Sequence, residues 1–332
     1  MMKAPLNRRR ALQTLFCSSA ALALNLSRQA KAEVAKDGLH FLAIGDFGTG
    51  AADQKAVAAA MQTFASQQTR PPEALLLLGD NFYGPTKDGF TLESKRWKDE
   101  IEGMYPASAF TGPMYAVLGN HDYHDNAGGQ DVQLAYAQQA GVRWKMPAKW
   151  YRQDFGPQLT VLFLDSNLPS VSGGSKDKKT GKPRASLNAK EAAAQLTWLK
   201  AELTKPRGIF TLVVAHHPIY SNGDHGDTQA LVNAWEPLLQ EHRVHAYLCG
   251  HDHDLQHLEM EGRCTSHILS GGGGARTRKL EQAERTMPYG KDVHGFTHLS
   301  VTEQAMTFAH YGVDGHILHR FIKRPDSKVE IG

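Results

Sequence analysis

The chain has 332 residues, of which 41% are hydrophobic and 21% are charged, a globular composition that excludes a disordered, collagenous or coiled-coil protein. Its three cysteines are too few for a disulfide-stapled fold or a cysteine-rich zinc site. The first 32 residues hold six basic and no acidic side chains, and the remainder holds 31 basic against 34 acidic residues. The net charge of the remainder, −3, excludes nucleic-acid binding through a basic surface.

Residues 1–32 have the pattern of an export signal. Three arginines at positions 8–10 precede a moderately apolar run over residues 11–26, and a small-residue cleavage site follows at residues 30–32. We predict a twin-arginine-type signal peptide, recognised by the twin-arginine export machinery, with one catalytic domain over residues 33–332. A basic N-terminal helix is the alternative. Because the apolar run is short and broken by Ser and Asn, no stable membrane anchor is expected, and the predicted location is periplasmic or secreted.

Short apolar runs that end at Gly or polar residues predict a series of buried strands. In chain order they are Leu39–Ile44, Ala74–Leu78, Met114–Leu118, Leu159–Leu164, Ile209–Ala215, Val244–Leu248 and His267–Leu269. Between them, periodic patterns predict helices at Asp53–Gln67, Ala189–Leu203 and Thr228–Glu241. Two later stretches, 296–310 and 316–322, are expected to pair as a β-hairpin. Strands that alternate with helices indicate an α/β layered domain.

Five of the predicted strands end on side chains that can bind a metal ion. The groups are carboxylates, a phenol, an amide and imidazoles, carried by Asp46, Asp80, Tyr83, Asn120, His121, His216, His217, His251 and His253. Taken singly, each of them is typical of a turn or a helix cap. The carboxyl ends of strands in α/β sheets gather ligand sites, so five such ends in one chain predict a common metal centre.

The residue types narrow the metal and the chemistry. Mixed oxygen and nitrogen ligands without thiolate favour Fe, Mn or Zn over a structural zinc site. There are too many ligands for one ion, and a carboxylate-bridged pair ~3.5–4 Å apart would use them all. Such a pair stabilises the attacking and leaving oxygens in an in-line displacement at phosphorus, so the predicted reaction is phosphoester hydrolysis.

The order of the motifs resembles that of the calcineurin-like metallophosphoesterases. The motifs are GDFG at 45–48, GDNFY at 79–83, GNHD at 119–122, VVAHHP at 213–218 and GHDHDLQ at 250–256. More narrowly, residues from about Leu39 to about Tyr311 resemble the small single-domain purple, or tartrate-resistant, acid phosphatases. Tyr83 distinguishes them, because the purple enzymes hold Fe(III) with a tyrosinate that gives their colour. The resemblance implies an α/β sandwich in which two packed mixed β-sheets are flanked by helices.

The resemblance also implies two ligand sets. The ferric site would consist of Asp46, Tyr83 and His253, with Asp80 bridging the two ions. The second site would hold a divalent ion, Fe(II), Zn(II) or Mn(II), through Asn120, His216 and His251. Phenolate and carboxylates suit a trivalent ion, whereas an amide and two imidazoles suit a softer divalent one.

Three further residues receive catalytic roles from the resemblance. His121 would bind phosphate or protonate the leaving group, and Asp122 would orient His121. His225 matches a position near the substrate and would assist the leaving group, although its Gly-rich surroundings also fit an ordinary loop histidine. His217 stands where the family has an aromatic residue and is expected to pack beside the site. His124, His257, His267 and His298 are expected to be solvated or core histidines.

The leading functional prediction is an exported acid phosphatase that hydrolyses small phosphate monoesters by in-line attack of metal-bound hydroxide, as a monomer. A phosphodiesterase or nucleotide pyrophosphatase on the same metals is one alternative, and a non-catalytic metal or phosphate binder is another. The lysine-rich loop over residues 171–184 is either a lid that attracts anionic substrates or a plain solvated loop. Cys249 and Cys264 could pair, but a buried free thiol at Cys249 is the preferred interpretation.

Overall fold

The computed structural model describes residues 38–173, 181, 184–281, 285 and 287–332. The predicted signal peptide at residues 1–32 and most of the lysine-rich loop, residues 174–180, 182 and 183, lie outside the described residues. Within them the chain forms two mixed β-sheets flanked by helices, as predicted. No helix in these ranges is both long and apolar enough to cross a membrane.

The first sheet has eight strands and joins both ends of the described chain. Its order is β15-β14-β13-β12-β1-β2-β3-β4, in which β1 to β4 are parallel and the pairs from β12 onwards are antiparallel. The strands are β1 (Leu39–Ile44), β2 (Ala74–Leu77), β3 (Met114–Ala116), β4 (Trp144–Lys145), β12 (Gly295–Val301), β13 (Met306–Gly312), β14 (Ile317–Lys323) and β15 (Val329–Ile331).

The second sheet has seven strands in the order β11-β9-β10-β8-β7-β6-β5. They are β5 (Tyr151–Phe155), β6 (Leu159–Phe163), β7 (Phe210–Val214), β8 (Ala246–Cys249), β9 (Leu255–Glu259), β10 (Ser266–Ser270) and β11 (Tyr289–Lys291). The four central strands β6, β7, β8 and β10 are parallel to one another. Their carboxyl ends therefore open on one edge, as those of β1 to β3 do in the first sheet.

The continuous apolar runs reflect strands that are buried on both faces. In β6, Val161 and Phe163 belong to the core between the two sheets, while Leu162 belongs to a second core on the other face. Val213 of β7 joins this second core, and its neighbour Leu212 faces the first. Side chains alternate along a strand, so a strand covered on both sides reads as an unbroken apolar run rather than an alternating one.

The described helices are α1 (Ala52–Ser66), a π-helical turn (Trp97–Glu102), α2 (Asn120–His124), α3 (Gly129–Tyr136), α4 (Ala189–Thr204), α5 (Gln229–Ala234) and α6 (Glu236–Glu241). The predicted cap of α4 is present: Asn188 accepts from the Glu191 amide at 2.9 Å, and Glu191 accepts from the Asn188 amide at 2.9 Å.

Two predicted elements differ from the structure. The helix predicted over 228–241 is divided at Trp235 into α5 and α6, since Pro237 has no N–H to donate to the carbonyl four residues earlier. The stretch 296–310 is not one arm of a hairpin. It contains a hairpin of its own, β12 and β13, closed where the Thr302 amide donates to the Ala305 carbonyl at 2.8 Å.

Candidate metal centre

Asp46 and Asp80 lie at the ends of the neighbouring parallel strands β1 and β2. The amide of Asp46 donates to the carbonyl of Gly79 at 3.1 Å, which ties the two loops together. Both aspartates, and His251 in the loop after β8, have positive φ angles of 57°, 51° and 73°. This conformation is unfavourable for residues with a side chain and is typical of functional sites, where surrounding packing imposes it.

The phenol of Tyr83 lies among three candidate ligands. Its oxygen is 3.1 Å from Asp46 Oδ1, 2.9 Å from Asp80 Oδ2 and 3.2 Å from His253 Nε2. The other ring nitrogen of His253, Nδ1, is 2.8 Å from the carbonyl of Arg276. Because Nδ1 must donate to that carbonyl, Nε2 of His253 presents a lone pair to the phenol.

A second group of ligands lies on the other side of Asp80. Nε2 of His216 is 3.1 Å from Asn120 Oδ1, 3.2 Å from His251 Nδ1 and 3.4 Å from Asp80 Oδ2. Nδ1 of His216 is 2.9 Å from the carbonyl of Leu78, so Nε2 is again the nitrogen with the lone pair. The same oxygen of Asp80 thus borders both groups.

These contacts fit bound cations. One phenol hydrogen cannot satisfy the three acceptors around Tyr83, and around His216 the lone pairs of nitrogen and oxygen atoms face one another. Burial lowers the pKa of His216, yet the Asp80 and Asp46 carboxylates overcome it and raise the pKa to about 9, so without a cation Nε2 would take up a proton. A bound metal ion would replace that proton and meet the Nε2 lone pair. Burial together with Asp46 and Asp80 raises the pKa of Tyr83 well above its usual value, so ionisation of the phenol requires a nearby cation.

Two glycines allow the loops to pack directly on the carboxylates. A Cβ at Gly119 would lie 2.2 Å from Asp80 Oδ1, and a Cβ at Gly250 would lie 2.3 Å from Asp46 Oδ2. No side chain fits at these distances. The glycines that end β3 and β8 therefore bring the backbone of the loops against the aspartates, in addition to turning the chain.

His121 lies at the mouth of this site and is held by Asp125. Its Nδ1 is 2.8 Å from Asp125 Oδ2, its amide donates to Asp80 Oδ1 at 2.8 Å, and its ring centroid is 4.4 Å from that of Tyr83. Burial lowers the pKa of His121, but the hydrogen bond to Asp125 and the Asp80 charge raise it above its usual value. The helical spacing of four residues between His121 and Asp125 was the available sequence signal.

The role predicted for Asp122 is wrong. Its carboxylate is buried and accepts hydrogen bonds from the amide of Gly119 at 2.8 Å, the amide of Asn81 at 3.0 Å and Nε2 of Gln133 at 2.8 Å. On a helix, a residue and its immediate successor point in different directions, so Asp122 faces the β2 loop and not His121. Asp122 holds the loops that carry Asn120 and Asp80.

His225 and Arg278 form another part of the site. Nδ1 of His225 is 2.7 Å from Oδ1 of the buried Asp252, and its ring centroid is 4.1 Å from that of His251. NH1 of Arg278 lies 2.9 and 3.0 Å from the two ring nitrogens of His225. Asp252 belongs to the predicted GHDHDLQ motif, but nothing in the sequence pattern marks Arg278, which follows a glycine-rich loop.

His217 is buried next to the candidate ligands. Its Nδ1 is 2.8 Å from the hydroxyl of Ser166, its ring centroid is 4.3 Å from that of His251, and burial lowers its pKa well below the usual value. It packs beside the site, as predicted, although its ligating atom also lies within 4.8 Å of those of His216 and His251. Cys249 and Cys264 are both free thiols, and Cys249 is buried.

A cavity of about 670 Å³ opens above these residues. Its floor includes Asp80, Asn120, His251 and His253, and its walls include His121, His124, His217, His225, Arg184 and Arg278. His124, for which a solvated or core position was expected, therefore lines the cavity. Of the residues predicted for the site, the structure brings all seven candidate ligands together, with His121 and His225 beside them.

Comparisons with known proteins show which family the chain is similar to. The family model described as calcineurin-like phosphoesterase matches residues 39–255. Tartrate-resistant acid phosphatase type 5 of Homo sapiens is 32% identical over 310 residues, which cover 87% of this chain and 92% of the relative. Purple acid phosphatase 7 of Arabidopsis thaliana is 31% identical over 290 residues, with 85% of each chain covered.

Solved structures share the fold. GAP50, described as the anchor in the inner membrane complex of Plasmodium, superimposes with a TM-score of 0.71 over 85% of this chain and 87% of its own, at 21% identity. A purple acid phosphatase from yellow lupin (Lupinus luteus) seeds has a TM-score of 0.66 over 88% of this chain and 55% of its own, at 15% identity. At these identities the likeness concerns the fold alone, so function has to be argued from the site.

Proposed function

The chain belongs to the calcineurin-like phosphoesterase family and, within it, to the tartrate-resistant and purple acid phosphatases, and from that premise we propose that it is an exported acid phosphatase of phosphate monoesters. The observation that carries the proposal is Asp80 Oδ2, which lies 2.9 Å from the phenol of Tyr83 and 3.4 Å from Nε2 of His216. One carboxylate oxygen borders two separate groups of ligands, as a bridge between two ions requires.

In this proposal Asp46, Tyr83 and His253 would hold Fe(III), Asn120, His216 and His251 would hold Fe(II), Zn(II) or Mn(II), and Asp80 would be shared by the two sites. When bound, such a pair supplies Lewis acidity toward phosphoryl oxygens and lowers the pKa of a bound water. The surrounding chain keeps the ligands in place: the carbonyls of Leu78 and Arg276 orient His216 and His253, and the positive φ angles fix the aspartates.

His121 and His225 are the proposed partners of the leaving group. Nδ1 of His121 is bonded to Asp125 and Nδ1 of His225 to Asp252, which leaves Nε2 of each ring for other partners. Nε2 of His121 is available to a ligand in the cavity, whereas Nε2 of His225 lies 3.0 Å from NH1 of Arg278, a contact that a ligand would have to displace. A protonated imidazole can donate to the oxygen of the departing group, a contribution of about 10²- to 10⁴-fold in rate. The requirement for a protonated histidine supports an acidic optimum.

The test compares p-nitrophenyl phosphate with bis(p-nitrophenyl) phosphate from pH 4 to 8, with protein loaded with iron and with zinc or manganese. We expect faster hydrolysis of the monoester and an acidic optimum. Faster hydrolysis of the diester would replace the proposal by the phosphodiesterase alternative. Two bound metals without turnover of either substrate would identify a binding protein on the same fold.

Export is proposed from the sequence of residues 1–32, which lie outside the described residues. In a bacterial host we expect the protein in the periplasmic fraction, and we expect Arg8→Lys combined with Arg9→Lys to retain it in the cytoplasm. The matched control is Lys3→Arg, which also preserves charge in the same segment. Export of the double variant at the wild-type level would contradict the twin-arginine route.

A further inference from the structure

Arg96, which directly precedes the π-helical turn, contacts the backbone on both sides of Tyr83. Its NH2 donates to the carbonyl of Tyr83 at 2.7 Å, and its NH1 donates to the carbonyl of Gly84 at 3.1 Å. NH2 also lies 3.3 Å from the carbonyl of Gly48, which belongs to the GDFG motif of Asp46. One guanidinium therefore joins the loops that carry two of the candidate ligands for Fe(III).

Glu100 neutralises the charge of this guanidinium. Nε of Arg96 donates to Oε1 of Glu100 at 2.7 Å and NH2 donates to Oε2 at 2.8 Å, and the two side chains are only 15% and 12% exposed. A bidentate pair of this kind fixes the plane of the guanidinium. Because the charge is already paired, Arg96 acts on the Tyr83 loop through the geometry of its donors and adds little net charge.

The turn that begins after Arg96 is anchored in the core. The amide of Gly103 donates to the carbonyl of Lys98 at 2.8 Å, and this spacing of five residues defines a π-helix, a rare structure that is frequent at functional sites. The indole of Trp97 stacks on the ring of Tyr136 with the two centroids 3.7 Å apart. Arg96 therefore extends from a rigid element of the fold.

Tyr83 lies in the loop between β2 and the π-helical turn, where neither a sheet nor a helix supports its backbone. Its amide donates to the carbonyl of Gly48 at 2.7 Å, and its carbonyl accepts from Arg96. At the other end of the residue, the phenol oxygen lies 3.1 Å from Asp46 Oδ1 and 2.9 Å from Asp80 Oδ2. A shift of the backbone at Tyr83 would change both of these distances.

We propose that Arg96 is a positioning residue that fixes the Tyr83 phenol for a trivalent ion and thereby sets how firmly the protein retains iron. Residues that hold a metal ligand in place typically contribute about 10- to 100-fold in metal affinity. The inference rests on the ferric site of the proposed function. It adds a residue that lies 13 positions from Tyr83 and outside all of the predicted motifs.

The experiment compares Arg96→Met with Arg143→Met in iron-loaded protein. Arg143 is a matched control, because its side chain is 14% exposed, pairs with Glu102 at 2.6 Å and donates to the carbonyl of Phe110 at 2.8 Å, outside the loops of the site. In competition with a chelator, we expect Arg96→Met to bind iron about 10- to 100-fold more weakly than wild type. The visible charge-transfer band of Arg96→Met should shift or weaken, and Arg143→Met should match wild type in both measurements.

Arg96→Lys separates geometry from charge. Lysine keeps the positive charge but has no planar fork of donors, so it cannot bond Glu100 and the loop carbonyls at the same time. We therefore expect Arg96→Lys to resemble Arg96→Met, and wild-type iron affinity in Arg96→Lys would overturn the positioning role. Unchanged affinity and an unchanged band in Arg96→Met would overturn it too, as would an equal loss in Arg143→Met, which would indicate a general effect on the fold.

Amide hydrogen exchange in the metal-free protein separates this inference from the proposed function. In Arg96→Met we expect the amides of residues 82–86 to exchange at least about tenfold faster than in wild type, as for loss of a hydrogen bond from a charged donor, and Arg143→Met should leave them unchanged. If wild type binds no iron but exchange accelerates as expected, the positioning of Tyr83 stands and the ferric assignment fails. Unchanged exchange in Arg96→Met refutes the inference whether or not the protein binds iron.

Discussion

Two parts of the site are built in different ways: the seven candidate metal ligands, here called the floor, and the two histidines beside them, His121 and His225, here called the rim. On the floor, the side chains of His216 and Asp80 are 0% and 2% exposed, and several residues hold unfavourable backbone angles. On the rim, the side chains of His121 and His225 are 31% and 37% exposed, and each is held by one carboxylate. The floor resembles a protein core in which each position constrains its neighbours, so under the proposed function we expect changes there to abolish catalysis. The rim is more exposed, so we expect changes there to alter rate or substrate preference and to leave the fold intact.

The largest effect should come from the floor, where Asp80 belongs to both groups of ligands. Asp80→Ala removes the proposed bridge and the acceptor for the His121 amide. We expect kcat/KM for p-nitrophenyl phosphate to fall by at least roughly 10⁴-fold, with less than two metal ions bound per chain by elemental analysis. Asp131→Ala, an exposed carboxylate on α3, is the control. Wild-type activity in Asp80→Ala would contradict the proposal that two metal ions share this carboxylate.

Removal of a rim histidine should cost less and leave the metals in place. His121→Ala is expected to lower kcat by about 10²- to 10³-fold, as for loss of a general acid, with unchanged metal content. Asp125→Asn should reduce kcat by a smaller factor, because the imidazole remains but its partner loses its charge. Loss of metal from His121→Ala would show that this histidine belongs with the metal ligands of the floor and not with the rim.

Tyr83 tests the floor by spectroscopy as well as by rate. If the phenol binds Fe(III), Tyr83→Phe abolishes the visible charge-transfer band of the iron-loaded protein and lowers kcat/KM by about tenfold, since the other ligands remain. Tyr289→Phe, which changes a half-buried tyrosine of β11, should keep the band. A band that survives in Tyr83→Phe would show that another group gives the colour, and the ferric assignment would be withdrawn.

His298 of β12 lies outside both regions and should affect stability alone. Burial lowers its pKa to about 3, whereas the unfolded chain has a value near 6.5. The unfolded state therefore binds more protons between these values, and stability falls as pH drops through that window. The unfolding free energy should fall between pH 6.5 and 5, and in His298→Phe this fall should be smaller by about 2 kcal/mol, measured by urea unfolding. The substitution should leave kcat unchanged. An unchanged pH dependence of the unfolding free energy would mean that His298 is not the group responsible.

The fold was largely predictable because its strands are buried on both faces. Runs such as Leu159–Leu164 have no polar alternation, and their ends at glycine located the turns. The division of the predicted helix at Trp235 was harder, since Pro237 is tolerated in a first helical turn and breaks a helix only in its interior. Whether Pro237 lies in the first turn of a new helix or interrupts a longer one depended on how Trp235, which is 1% exposed, packs in the core.

The candidate metal ligands could be predicted from the sequence, but the residues that hold the site in place were harder to predict. Ligands such as Asp80 come directly after strands, and adjacent parallel strands bring such ends together wherever the sheet forms. Asp125, not Asp122, holds His121, because orientation on α2 depends on the turn from β3. Arg278 was not predicted as a site residue, because the residue that its side chain contacts, His225, is 53 residues away in the sequence.

By itself, the sequence determined a layered α/β domain with metal-binding strand ends, because apolar runs and short motifs are local patterns that persist in the folded chain. The order of the motifs added the family resemblance, and that resemblance implied the two packed sheets. Only the tertiary structure decided that Asp122 supports loops, that Asp125 holds His121, and that Arg278 meets His225. The contacts of Asp122 with the β2 loop and of Arg278 with His225 join separate loops, and their distances follow from how the two sheets pack and how the loops close over them.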